Sequence, residues 1–184
     1  FMEMIARGGD WGGPTVRAIH GSNAVWIDSP VWLLLHALTS MISPDQKHIL
    51  IDGFYDDVIP PSAEDMDLLE RLAKTFTAET ILKDNDVRRF KYDLTGRALL
   101  LKNLYQPQLN VDGIIAGHTE EGTKTVLPHE ARAKIDMRLV PNMRPERMVQ
   151  RLRDHLARHG YADKIELIVN QGYPPAKLGL GSNP

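Results

Sequence analysis

The chain has 184 residues, 42% hydrophobic and 25% charged, with a formal net charge of −2. That balance describes a globular domain able to bury roughly 70% of its unfolded surface, with no basic footprint for nucleic acid or an anionic membrane. Cysteine is absent, which excludes disulfides and thiolate metal sites and agrees with a cytoplasmic location, and no run approaches the ~20 apolar residues of a membrane span.

Met2 to Arg7 alternates and stops at Gly8-Gly9, a strand closed by a turn. Gly12-Gly13-Pro14 leads into Thr15 to His20, a second short extended candidate. Ser29-Pro30 starts a helix, with serine as N-cap and proline at the first helical position. Val31, Leu34, Leu35, Leu38 and Ile42 follow at helical spacing until Ser43-Pro44. His48 to Phe54 reads as a strand or an extended arm. Ser62 opens a helix whose Met66, Leu69, Leu72, Ala73 and Phe76 share one stripe, with Asp65 contributing to its cap. A further helix covers Arg97 to Leu104 and ends before Pro107.

Leu109 to Ala116 reads as a strand. From Ala131 to Leu139 the alternation is strict, with Ala131, Ala133, Ile135, Met137 and Leu139 on one face and Arg132, Lys134, Asp136 and Arg138 on the other. Pro145 to His159 is a helix with Met148, Val149, Leu152 and Leu156 inward and Gly160 as its stop, before a last strand through Ile165, Leu167 and Val169. The order β-α-(insertion)-β-β-α-β predicts an α+β fold: a ferredoxin-like antiparallel sheet with helices on one face. Residues 1–184 then form a single domain with a helical insertion over about 45–108. The start inside a strand and the linker-like end at Gly179 to Pro184 read as cuts through a longer protein.

Seven histidines raise a metal question, but no His-Glu-x-x-His or His-x-Asp motif is present, and the one pair four apart, His155 and His159, could share a helix face. His159, beside Gly160, suits a helix C-terminus, where a cationic imidazole favours the dipole. His36 reads as packing or exposure, and Glu120-Glu121 as solvated loop charge. A small independent zinc site built on His20, His118 and His129 is a remote third option. Two stretches suit chemistry better. His20-Gly21-Ser22-Asn23 places an imidazole in a loop before a helix. Gly122 to Pro128 offers threonine hydroxyls, and Arg138 a planar fork suited to a carboxylate. Each also has a plain structural use, as a loop cap or a cross-strand ion pair.

Gly122-Thr123-Lys124-Thr125-Val126-Leu127-Pro128, with Arg138-Leu139-Val140-Pro141, resembles the threonine-loop signature of carnosinases, cytosolic non-specific dipeptidases and aminoacylase-type dinuclear metallopeptidases. The stretch from His48 to Pro60, the strand Leu109 to Ile114 and the Asp28-Ser29-Pro30 helix start are similar to other stretches of those enzymes, in the same order. The resemblance implies the dimerisation and substrate-capping domain of a two-domain hydrolase acting on dipeptides or related amides. Two zinc or manganese ions would sit in the catalytic domain, so this chain holds no metal and is expected to be inactive alone. The expected partners are a second copy, the catalytic domain and a peptide, with no nucleic acid or membrane. His20 would stabilise the oxyanion in the partner subunit's site, although the family has Asp-Leu-His-Ser-Gly where this chain has Ala18-Ile19-His20-Gly21-Ser22. Thr125 would contact substrate from the neighbouring subunit and Arg138 would hold its carboxylate, the three gathering around one peptide. The alternative is a free-standing ferredoxin-like module that binds an amino acid or a partner protein.

Overall fold

The computed structural model describes residues 1–177, so the linker-like Gly179 to Pro184 lies outside the described residues. In chain order the elements are β1 (Met2–Arg7), β2 (Ile19–His20), a 3₁₀ turn (Gly21–Val25), α1 (Pro30–Ser40), α2 (Ala63–Ala73), α3 (Ala78–Asp84) and α4 (Gly96–Tyr105). They continue as β3 (Gln108–Ala116), β4 (Val126–Leu127), β5 (Glu130–Arg138), α5 (Pro145–Arg158) and β6 (Ile165–Val169). The chain divides into two compact units, the first of residues 1–54, 108–138 and 144–173, the second of residues 55–107, 139–143 and 174–177 among the described residues.

The first unit is built on a four-stranded antiparallel sheet in the order β3-β5-β1-β6. Counting only these four strands along the chain, the order is 2-3-1-4, the ferredoxin-like arrangement expected from the sequence. The alternation of β5 sets the register: Ile135, Ala133 and Ala131 stand opposite Met2, Met4 and Ala6 of β1, and all six are buried. Small alanines let α1 lie close over β1 and β5, where it buries Leu34, Ala37 and Leu38. Burying a leucine of this kind contributes about 1.5–3 kcal/mol. Pro30 occupies the first turn as expected, but the Ser29 side chain makes no capping bond. On α5, Met148, Leu152 and Leu156 turn inward, and so does His155.

The opposite face of the sheet is charged. Arg7 bonds Glu130 at 2.7 Å and also pairs with Glu166, while Arg132 bonds Glu3 at 2.9 Å and Glu130 at 3.2 Å. The His48 to Phe54 stretch is an arm. After one bridge between Ile42 and Ile49 it turns, burying Ile49, Ile51 and Phe54. Two arginines of α5 hold it: Arg151 donates to the Gly53 carbonyl and Arg158 pairs with Asp52.

The second unit is helical. Ser62 and Asp65 form a reciprocal cap on α2: the Ser62 hydroxyl accepts from the Asp65 N–H at 3.2 Å, and the Asp65 carboxylate accepts from the Ser62 N–H at 2.8 Å. The Lys177 ammonium, and then the Ser62 N–H, hold the Asp65 carboxyl well below the usual carboxylate range. α2 packs on α4, joined by Arg97 and Glu70 at 3.0 Å. The short α3 has no counterpart in the sequence expectations. It buries only Ala78, so no apolar stripe announces it.

Candidate functional site

β2 pairs with β4, placing Ile19 opposite Leu127 and His20 opposite Val126. The pairing is pinned from below by Leu127, which is buried, and continued by the Gly21 N–H donating to the Thr125 carbonyl at 3.1 Å. The backbones of His20 and Thr125 are therefore close, and both residues are exposed. The approach is close at position 21, where a Cβ would lie 2.8 Å from Thr125 Cγ2 and that methyl group would have to move.

The turn after His20 is tightly bonded. His20 caps it in an extended conformation, its Nδ1 accepting the Ser22 N–H at 3.2 Å and lying 2.8 Å from Ser22 Oγ. Asn23 Nδ2 donates back to the His20 carbonyl at 2.9 Å, and the Asn23 carbonyl accepts from Trp26 at 3.1 Å and Ile27 at 2.9 Å. The imidazole is thus fixed through one nitrogen, while Nε2 has no partner among the described residues. The sequence motifs assign Ser22 no role. Its position two residues after a histidine, at the first turn of a helix, was the available signal.

Arg138 is exposed at the last position of β5, on the charged face of the sheet and opposite Gln108 of β3. β5 begins just after the hairpin that holds Thr125 and runs roughly 26 Å to Arg138, at ~3.3 Å per residue. Within one chain the three positions do not share one place. His20 and Thr125 are brought together; Arg138 is held a full strand away, because an extended nine-residue strand cannot fold back between them.

Glu120 and Glu121 are exposed in the β3–β4 loop. His118 and His129 line an open cavity of about 470 Å³ together with Glu120, Lys124 and Glu130. Among the described residues, however, no group of three or more histidine, aspartate or glutamate side chains is arranged to hold a metal ion. The zinc site of His20, His118 and His129 is not assembled. His36 is exposed beside Trp32, with ring centroids 6.1 Å apart. His159 forms the C-cap of α5 and stacks on Tyr161, followed by Gly160 in the left-handed region (φ 75°). His155 shares a helix face with His159, their ring centroids 4.3 Å apart, and is only 1% exposed. Its Nε2 lies 3.0 Å from Ser40 Oγ, and its Nδ1 is buried without a partner. Burial, and then the neighbouring His159, lower its pKa.

Comparison with known proteins gives these positions a frame. Residues 15–164 match the family model of the peptidase dimerisation domain. The chain is 34% identical over 122 residues to Beta-Ala-His dipeptidase of Rattus norvegicus, covering 66% of this chain and 24% of that protein. It is 26% identical over 143 residues to the Cys-Gly metallodipeptidase DUG1 of Saccharomyces cerevisiae, covering 78% and 29%. An M20 family metallo-carboxypeptidase from Sulfolobus solfataricus superposes with a TM-score of 0.75 at 30% identity, over 91% of this chain and 41% of that one. The chain thus spans about a quarter of the length of these curated relatives. It belongs to the peptidase dimerisation domain family. The metal that the names of two of these proteins imply finds no fitting set of side chains among the described residues. No helix among them is long and apolar enough to cross a membrane.

Proposed function

We propose that this member of the peptidase dimerisation domain family is the dimerisation and substrate-capping part of a cytoplasmic dinuclear zinc or manganese peptidase that cleaves dipeptides or related amides. The observation that carries the reading is the β2–β4 pairing that sets the His20 loop against the Thr125 backbone, both residues exposed and a strand's length from Arg138. In a two-fold dimer that separation becomes useful. Each copy lends His20 and Thr125 to its partner's site and uses Arg138 in its own.

Amide hydrolysis builds negative charge on the scissile carbonyl oxygen. An N–H from His20, fixed before the substrate arrives, stabilises that charge without reorganising. Thr125 offers a hydroxyl from the adjoining segment. Arg138 takes the free carboxylate of the substrate through two parallel bonds, which orients the peptide and disfavours one lacking that group. The metal ions, and with them the water nucleophile, belong to the catalytic domain.

A surface for the second copy is available on the same unit. β3 forms one edge of the sheet, with its outer backbone unpaired in the sheet. Val111 and Ile114 on its helix-facing side are 41% and 49% exposed, and Trp32 on the outer side of α1 is 64% exposed. An apolar strip beside an open strand edge suits isologous pairing. The reading is tested by His20→Ala in the full-length protein, where loss of one oxyanion donor lowers kcat by about 10²–10³-fold. Unchanged kcat would overturn it.

A further inference from the structure

The altered loop around His20 carries a consequence of its own. A neutral imidazole has one protonated and one unprotonated nitrogen, and the hydrogen bond at one decides the role of the other. The Ser22 backbone N–H points at His20 Nδ1 from 3.2 Å. A backbone N–H can only donate, so Nδ1 must present its lone pair. The Ser22 hydroxyl, 2.8 Å from the same nitrogen, is then the second donor to it. The proton is left on Nε2, the nitrogen with no partner among the described residues.

We infer that Ser22 is a positioning residue that holds His20 as its Nε2–H tautomer, with the donor nitrogen directed away from the turn. The turn itself is braced by Asn23, whose side chain bonds the His20 carbonyl at 2.9 Å, so ring and backbone are fixed together. Placing serine two residues after the histidine, rather than directly after it, lets its N–H and hydroxyl converge on Nδ1. The departure from the expected His-Ser-Gly order therefore preserves the donor. The catalytic consequence rests on the function proposed above; the tautomer does not.

The tautomer is read on the chain itself by long-range ¹H–¹⁵N NMR, at a pH well above the ordinary imidazole range. The expected spectrum shows His20 with an unprotonated Nδ1 and a protonated Nε2; a majority of the Nδ1–H form overturns the inference. In the full-length protein, Ser22→Ala should lower kcat about five-fold, the worth of one ordinary hydrogen bond, with KM unchanged. Ser22→Thr should restore it. Ser22 is exposed, so the alanine variant should keep the wild-type circular dichroism. If His20→Ala abolishes turnover while Ser22→Ala matches wild type, the positioning role is refuted and the proposed function stands. If His20→Ala changes nothing, the proposed function is refuted and the NMR result alone decides the tautomer.

Discussion

Gly21 and Thr125 meet backbone to backbone: the Gly21 N–H donates to the Thr125 carbonyl at 3.1 Å, and a side chain on Gly21 would strike the Thr125 methyl group. This contact joins two segments more than a hundred residues apart and fixes the His20 loop against the Thr125 backbone. Gly21→Ala should force Thr125 to turn about its Cα–Cβ bond or the strands to part. Overpacking of this kind costs about 1–3 kcal/mol. The expected readout is a lowered Tm of the chain and, in the full-length protein, a fall in kcat; a variant matching wild type in both would show that the approach is slack.

Arg138→Lys in the full-length protein should raise KM for dipeptides, because an ammonium cannot reproduce the two parallel bonds of a guanidinium. A loss of about 2 kcal/mol corresponds to roughly thirty-fold in kcat/KM. Substrates whose C-terminus is amidated should be almost insensitive to the change. Equal losses on both substrate classes would remove the carboxylate from the account.

Ile114→Lys places a charge on the open edge strand and should weaken self-association. Sedimentation of the wild-type chain at tens of micromolar should show a dimer and the variant a monomer with an unchanged circular dichroism spectrum. A dimer in both would move the interface elsewhere. Below the same edge, burial and the neighbouring Asp112 push the Asp136 carboxyl up.

The acid response of the fold should be governed in part by His155. Ser40 Oγ–H donates to the Ala37 carbonyl at 2.7 Å, so that oxygen accepts from His155 Nε2–H and leaves Nδ1 as a buried lone pair. Charging the ring would require a donor at Nδ1 with nowhere to point, and the folded-state pKa accordingly lies below the unfolded value of 6.5. The unfolded chain then binds the extra proton first. Stability is full above about pH 6.5 and falls as pH drops through that value towards the folded pKa. Ser40→Ala, which strands the Nε2–H as well, should cost about 1–3 kcal/mol at pH 7.5. His155→Gln should flatten the profile between pH 7 and 5.5; an unaltered slope would assign the acid loss to other groups.

The parts of the fold legible in the sequence are those whose pattern is local. Strict alternation identified β5, and the Pro145 start and Gly160 stop bounded α5 within a residue. The reciprocal Ser62–Asp65 cap was visible from spacing alone. α3 was not, since one buried alanine in seven residues leaves no period to read. The burial of His155 was not legible for a related reason: it shares the inward stripe of α5, but a histidine there is recognised as core only once Ser40 is seen opposite it. Thr15 to His20 shrank to a two-residue strand because only Ile19 and His20 find a partner in β4. His20 and Thr125 were picked out by residue type and resemblance, whereas the separation of Arg138 depends on the direction β5 takes after the hairpin. That lies in tertiary register.

The central claim is that His20 serves a site in the other subunit, and mixing two inactive proteins tests it most directly. Full-length protein carrying His20→Ala has the catalytic domain without the donor; the isolated chain has the donor without that domain. Mixed into heterodimers, they should recover dipeptide hydrolysis, and the chain carrying His20→Ala should fail to rescue. Heterodimers that form, by sedimentation, and stay inactive with the wild-type chain would contradict the account.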